Sequence, residues 1–135
     1  MRIAGLLLVA ACAYQPSTFY SAEQKFDGQR TSAGCLDLAV ARRADVGDHA
    51  VVAYAFGNRC ESPAVVDLAA ARVLGDDALL EAFDPEHVID SRQLDGHAVG
   101  GEAIAYAGKP KELCIDPGSI AHAPADAWVC LGEAP

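Results

Sequence analysis

The sequence predicts an all-β domain built as a sandwich of antiparallel strands. Short apolar runs recur after residue 35, and in them large residues alternate with small or polar ones, which is the period of a half-buried strand. Turn-forming residues interrupt these runs roughly every ten residues, a spacing typical of sandwiches. The same part of the chain contains four cysteines, an even number that can form two disulfides.

The first two predicted strands form an antiparallel hairpin. Alternating apolar residues indicate strands at 36–40 and 50–56, and the polar stretch 42–48 between them is typical of a turn. In such a hairpin Cys35 and Cys60 lie at the same end, which favours a disulfide between them.

The segment 63–74 fits two structures. Ser62 and Pro63 resemble the N-cap and first residue of a helix, and Gly75 is a typical helix stop. Apolar residues that alternate around Asp67 instead indicate a strand. The strand is favoured because its neighbours are strand-like, and the helix, which would make the fold α+β, stays open as the alternative.

The remaining elements are short. Tyr54 and Trp128 are predicted to anchor the core, since large aromatic side chains dominate the packing of small sandwiches. The predicted apolar runs are 78–83, 87–89, 103–106, 113–115 and 127–131, and the predicted turns are 84–85, 94–96, 100–101, 108–110 and 116–118.

The stretch Phe56-Gly57-Asn58-Arg59-Cys60, followed by Pro63 and Val66-Asp67-Leu68, looks like the B–C hairpin of a known sandwich. In this layout the segment from Cys35 to Cys130 resembles the immunoglobulin-like domains of envelope lipoproteins. The resemblance implies an immunoglobulin-like antiparallel β-sandwich. It implies no particular activity, because this fold hosts many unrelated functions.

A targeting signal precedes the domain. Arg2 is followed by the apolar run 3–11 and then by Cys12, the pattern of a secretory signal peptide. The run is far shorter than the roughly 20 residues that span a bilayer as a helix. Val9-Ala10-Ala11-Cys12 resembles the lipobox of bacterial lipoproteins, which implies removal of residues 1–11 and lipidation of Cys12, including palmitate. Two or three acyl chains give stable membrane anchoring.

The predicted organisation is a signal peptide (1–11), an acylated tether (12–34) and a sandwich domain (35–135). The polar composition of 12–34 favours a flexible spacer. Four aromatic residues in it leave open that part of the segment packs on the domain or on a partner. They are Tyr14, Phe19, Tyr20 and Phe26.

Charge and location follow from the composition. The formal net charge is −9, which argues against nucleic-acid binding and against charge-driven binding to anionic lipid. The lipobox resemblance implies the cell envelope, facing the periplasm or the cell surface. The residue after Cys12 is Ala13, whereas in some lipoproteins an aspartate at this position retains the protein in the inner membrane. The alanine therefore favours the outer membrane.

The four cysteines after Cys12 are predicted to form two disulfides, since exported proteins enter an oxidising compartment. The favoured pairs are Cys35–Cys60 and Cys114–Cys130, which close the shortest loops, and the other two connectivities stay open. A zinc site is disfavoured because no C-x-x-C pair is present.

The sequence contains no recognisable catalytic, metal or cofactor motif. His87, Asp90 and His97 could meet at one turn and suit a divalent metal, but loop histidines are usually solvated. The acidic residues of 84–95 do not match a calcium loop. Ser119 lacks the flanking glycines of a nucleophile elbow, so Ser119 and His122 are interpreted as a turn serine beside a surface histidine.

We therefore expect a non-catalytic, lipid-anchored envelope protein with a protein-binding or structural role. Its expected partners are the membrane, through the N-terminal lipid, and an envelope protein. The alternative is an inhibitor of secreted proteases, or a sensor module for a small ligand or metal, that uses a loop such as 84–101.

Overall fold

The structure, a computed structural model, describes residues 13–83 and 91–135. The predictions for the signal peptide, Cys12, His87 and Asp90 fall outside these residues. The described part forms β1 (Gln29–Ala33), β2 (Leu36–Val46), β3 (His49–Asn58), β4 (Ala64–Asp67), a 3-10 helix (Leu68–Ala70), β5 (Arg72–Gly75), β6 (Ala78–Leu79), β7 (Ser91–Leu94), β8 (Val99–Ala107), β9 (Leu113–Asp116), α1 (Pro117–Ala121) and β10 (Val129–Leu131).

Two four-stranded antiparallel sheets form the predicted all-β sandwich. Their strand orders are β1-β2-β3-β8 and β10-β9-β5-β6, and β4 pairs with β7 in a separate ladder. The order β2-β3-β8 corresponds to strands A, B and E of immunoglobulin-like sandwiches, and β10-β9-β5 corresponds to G, F and C. The segment 59–71 thus occupies the place of the B–C connection.

The core lies between the two sheets. The large residues of β3, Val52, Tyr54 and Phe56, point into it as their alternation predicts. They meet Ile115 of β9 and Val73 of β5, which are fully buried. Burial of these inner faces provides the main stabilisation of the sandwich.

The hairpin of β2 and β3 is confirmed, but its strands are longer than the sequence indicates. The predicted turn 42–48 is largely strand, because β2 continues to Val46 across an irregularity between Arg43 and Val46. The reversal needs only Gly47, whose φ of 58° lies in the left-handed region, and Asp48. Backbone pairing with β3 carries the strand beyond its apolar part.

The segment 63–74 consists of strands, as favoured, joined by the short 3-10 helix. Within this segment only the 3-10 helix is helical, and its N-cap is Asp67 rather than Ser62. The side chain of Asp67 accepts a hydrogen bond from Ala70 N at 3.1 Å. The α-helix of the domain instead lies at Pro117–Ala121, in the predicted turn 116–118. It has Asp116 as its N-cap and Pro117 in its first turn.

Two further predictions are corrected by the strand register. Gly100 and Gly101 lie inside β8 rather than in a turn. A Cβ on Gly100 would lie 2.6 Å from the Phe56 ring across the ladder, so this glycine permits a close cross-strand contact. Trp128 is not a core anchor, because it precedes β10 and leaves the inward position to Val129.

The segment predicted as a tether packs on the domain. It contributes β1, and Tyr14 and Phe26, only 2% and 4% exposed, form a second cluster with Ala39 and Ala55. These alanines lie on the outer face of β2 and β3, where their small side chains leave a shallow surface that the two rings cover. The packed domain therefore begins near Tyr14 rather than at Cys35.

The favoured disulfides, Cys35–Cys60 and Cys114–Cys130, are both present. Cys35 precedes β2 and Cys60 follows β3, so this bridge closes one end of the hairpin. Cys114 and Cys130 face each other directly across β9 and β10. Among the described residues, no helix has the length and apolar character needed to cross a membrane.

Candidate functional site

Several irregular segments of the described chain lie together at one end of the sandwich. In one sheet the pairings place the starts of β2 and β8 and the end of β3 there. In the other sheet they align the starts of β5 and β10 with the end of β9, and the close approach of Gly34 to Ala123 brings these two ends together. We call this the cleft end. It comprises the Cys35–Cys60 bridge, the turn 95–98 and the segment 117–128 that contains α1.

An open cleft of about 660 Å³ lies at this end, between the start of β5 and the segment that links α1 to β10. Backbone, carboxylate, hydroxyl and aromatic groups all contribute to its walls. The lining residues are Ala70, Arg72, Asp116, Gly118, Ser119, Ala123, Pro124, Ala125, Asp126, Ala127 and Trp128.

Trp128 and Arg72 form the most distinctive contact of the cleft. Trp128 is 37% exposed, and the guanidinium carbon of Arg72 lies 5.6 Å from its ring centroid. Such a cation–π contact at an exposed site contributes about 0.5–1 kcal/mol. Arg72 Nη1 also lies 3.9 Å from Asp116 Oδ2, but solvent screens this exposed pair. The arrangement presents an aromatic face and a cation together at the surface.

The wall of the cleft is held by hydrogen bonds around α1. Asp116 Oδ1 accepts from Gly118 N at 3.1 Å. The Ser119 hydroxyl donates to Asp116 O at 2.6 Å and accepts from Arg72 N at 2.9 Å. Ser119 thereby ties β5 to α1, and its proton is directed at a backbone carbonyl.

His122 contacts a carboxylate rather than Ser119. Its Nε2 lies 2.7 Å from Asp67 Oδ2, and it ends α1 in a left-handed conformation with φ of 51°. Ser119 and His122 therefore each bind a structural partner: Ser119 bonds the backbone of Asp116 and Arg72, and His122 contacts the side chain of Asp67. The site lacks the serine–histidine hydrogen bond that activates a nucleophile.

One cluster within 13–83 and 91–135 has the geometry of metal ligands. One ligand atom from each of Glu112, Cys114 and Cys130 lies within 4.8 Å of the others. Zinc binds cysteine as thiolate, however, and these two sulfurs are joined to each other. The cluster is thus a disulfide beside an exposed carboxylate. His97, from the predicted metal turn, bonds Tyr14 N and Cys60 O through its backbone.

A buried carboxylate secures the N-terminal segment at the cleft end. Asp37 is fully buried, and its Oδ2 accepts from Tyr14 Oη and Ser17 N, both at 2.7 Å. Its Oδ1 accepts from Ser32 Oγ at 2.7 Å and lies 3.2 Å from Arg59 Nε. We call these five residues the Asp37 cluster. Sequence reasoning missed it, because Asp37 has the spacing of a polar residue in a half-exposed strand.

Asn58 organises the loops beside the Asp37 cluster. Its amide nitrogen donates to the carbonyl oxygens of Ser62, Leu94 and Asp95, at 2.9, 3.0 and 3.2 Å. Its side-chain oxygen accepts from Cys60 N at 2.9 Å. The buried amide thus fixes the turn 95–98 to the end of β3.

Three of the four tyrosines are held in the neutral form. Burial and the hydrogen bond to Asp37 raise the pKa of Tyr14 to about 12. Burial also raises the pKa of Tyr106 to about 12. Tyr54, whose hydroxyl lies 2.6 Å from that of Tyr106, has a pKa well above its ordinary value because it is buried beside this second phenol.

These shifts predict loss of stability at high pH. The folded pKa values exceed the unfolded value of about 10, so the contribution is complete below pH 10 and disappears as the pH rises through 12. We expect phenolate absorbance from these three tyrosines to appear together with loss of near-ultraviolet circular dichroism. A Tyr20→Phe variant should keep the same unfolding midpoint. Ionisation of all four tyrosines near pH 10 in an intact fold would contradict the prediction.

Comparison with known proteins shows a likeness of fold alone. No family model matches the chain, and no curated protein matches its sequence. The solved structures that resemble it include the yjhA protein of Bacillus subtilis, with a TM-score of 0.59, 12% identity, and coverage of 78% of this chain and 96% of that one. The ycdA protein of the same organism, which is described provisionally as a lipoprotein, matches with a TM-score of 0.52 and 12% identity. The match covers 78% of this chain and 38% of that one.

Proposed function

We propose that this chain is a lipid-anchored envelope protein without catalytic activity, and that its sandwich binds an envelope protein through the cleft. The observation that carries the binding role is the exposed pair Trp128 and Arg72. Tryptophan and arginine are the residues most enriched among those that dominate binding energy at protein interfaces. A mixed polar and apolar cleft beside them supplies the shape and hydrogen-bonding groups that specificity requires.

The lipid anchor is supported by the lipobox Val9-Ala10-Ala11-Cys12 and by the two disulfides, which suit an exported protein. The provisional lipoprotein name of ycdA, a neighbour in fold, is consistent with this role. A protease-inhibitor or sensor role through the loop 84–101 stays a prediction, since residues 84–90 lie outside the described part.

Replacement of the lipidated cysteine tests the anchor. We expect Cys12→Ser to lose labelling by a palmitate analogue and to leave the membrane fraction, because the sulfur that receives the diacylglycerol is gone. A Cys12→Ala variant should behave in the same way. Membrane retention and normal processing of both variants would contradict the anchor.

Photo-crosslinking in intact cells tests the cleft. A photoreactive residue at Ala125, on the cleft wall, should give a discrete adduct with one protein, whereas one at Leu79, on β6, should not. We expect Trp128→Ala to abolish the adduct, since removal of a central aromatic costs about 2 kcal/mol or more. Phe83→Ala, which removes another exposed aromatic, should leave it unchanged. Equal adducts with and without Trp128 would contradict the cleft as the binding site.

A further inference from the structure

We infer that the cleft end of the sandwich faces the bilayer, so that Trp128 and Arg72 lie close to its headgroup layer while the cleft stays open to a protein partner along the membrane surface. The inference deepens the proposed function and rests on it, because it requires lipidation of Cys12. It fixes which surface of the domain meets the membrane.

The first step is the shortness of the connection. Tyr14 follows Cys12 by two residues, which together span at most about 7 Å. Tyr14 is itself fixed by three contacts at the cleft end: its backbone N donates to His97 O at 2.7 Å, its hydroxyl donates to Asp37, and its ring lies against Gly57. A lipid on Cys12 would therefore be attached within about 7 Å of Tyr14 along the chain, whatever conformation the connection adopts.

The second step is that the anchor and the cleft share one end. Asp37 lies at the start of β2, where Tyr14 is attached, and Arg72 lies at the start of β5, where the cleft opens. The turn at Gly34 connects the attachment point of Tyr14 with the cleft. A Cβ built on Gly34 would lie 2.8 Å from the side chain of Ala123, which lines the cleft. An anchor at this end draws the cleft toward the membrane as well.

The third step is the chemistry of the exposed groups. Tryptophan is enriched where proteins meet the headgroup region, and arginine pairs with phosphate oxygens. The net charge of −9 excludes attraction of the whole domain to anionic lipid, so the covalent anchor must supply the proximity. The same proximity of Trp128 to the headgroups should then occur on zwitterionic vesicles. A protein that binds the cleft would reach it along the membrane surface.

The opposite end of the sandwich provides an internal control. The β2–β3 turn with the exposed Val46 lies there, separated from the cleft end by the length of β3. Ten strand residues extend about 33 Å, far beyond contact with the headgroup layer.

Quenching of Trp128 fluorescence tests the orientation, because Trp128 is the sole tryptophan of the chain. The acylated full-length protein is placed in phosphatidylcholine vesicles that contain lipid with a nitroxide on its headgroup. We expect a large loss of Trp128 emission, and little loss for a Trp128→Phe, Val46→Trp variant. Insertion of twenty flexible Gly-Ser residues between Ala13 and Tyr14, which span about 25 Å, should remove most of the quenching at Trp128.

The outcomes separate the two proposals. Equal quenching at positions 128 and 46, or quenching that the linker does not change, in protein shown by mass to carry its lipid, would overturn the inference and leave the anchor intact. Protein that carries no lipid would overturn the proposed function, and this inference with it. Preferential quenching at Trp128 that the linker abolishes supports both.

Discussion

Replacement of Asp37 by alanine should lower the free energy of unfolding by at least about 3 kcal/mol, because Tyr14, Ser17 and Ser32 each lose a hydrogen bond to a charged acceptor, worth about 1.5–3 kcal/mol apiece. The change leaves Arg59 without its carboxylate and leaves the hydroxyls of Tyr14 and Ser32 without their acceptor. Urea unfolding followed by circular dichroism measures the loss. We also expect trypsin to cut after Lys25 much faster, because the released N-terminal segment becomes accessible.

Ser32→Ala is the matched control for this prediction. It removes one hydrogen bond to a charged group, worth about 1.5–3 kcal/mol, but keeps the ion pair between Asp37 and Arg59. It should therefore destabilise the domain less than Asp37→Ala, without faster cleavage at Lys25. A loss below 1 kcal/mol for Asp37→Ala would mean that the cluster does not secure the segment.

Removal of both disulfides should bring the domain close to unfolding. The bridges close loops with sequence separations of 25 and 16, and restriction of the unfolded chain by loops of this size contributes about 3 kcal/mol each. Together this equals much of the 5–15 kcal/mol by which domains are stable. The four-alanine variant should give a broad urea transition at a low midpoint, against a sharp one for the parent.

The two single-bridge variants separate local from global effects. Each should lose about 3 kcal/mol, but only the variant without Cys35–Cys60 should show faster hydrogen exchange at residues 59–62, since that bridge closes the cleft end. The variant without Cys114–Cys130 should exchange faster along β9 and β10 instead. An unchanged midpoint in either variant would show that its bridge adds no stability.

The features predicted from sequence are those with a local signal. The alternation in 50–56 defines a strand whatever it packs on, and a hairpin places Cys35 and Cys60 together. The position of the helix was predictable in part. Both Ser62-Pro63 and Asp116-Pro117 have the residues of a helix start, but β-branched Val65 and Val66 favour a strand after the first, where β7 provides a partner.

The features that sequence did not reveal depend on tertiary partners. Asp37 binds groups 20 and 23 residues earlier in the chain, and no local pattern marks such partners. The size of Trp128 predicts a core position, whereas the register of β10 assigns the inward position to its neighbour Val129. The cleft itself arises where α1 and the start of β5 meet, far apart in sequence.

The Asp37 cluster would also act as a mechanical link in the proposed lipid-anchored protein. A pull on a bound partner would pass through the sandwich to the lipid, and the first contacts to bear the load would be the hydrogen bonds of Tyr14 to His97 and Asp37 and that of Ser17 to Asp37. Their rupture, together with release of Phe26 from its buried position, would free the chain as far as β1 at Gln29, which stays paired with β2. These 15 residues extend by about 50 Å when straight. In a protein anchored in this way, the cluster would hold in reserve a length of chain that lets the domain move away from the membrane under tension while the lipid and both disulfides stay in place.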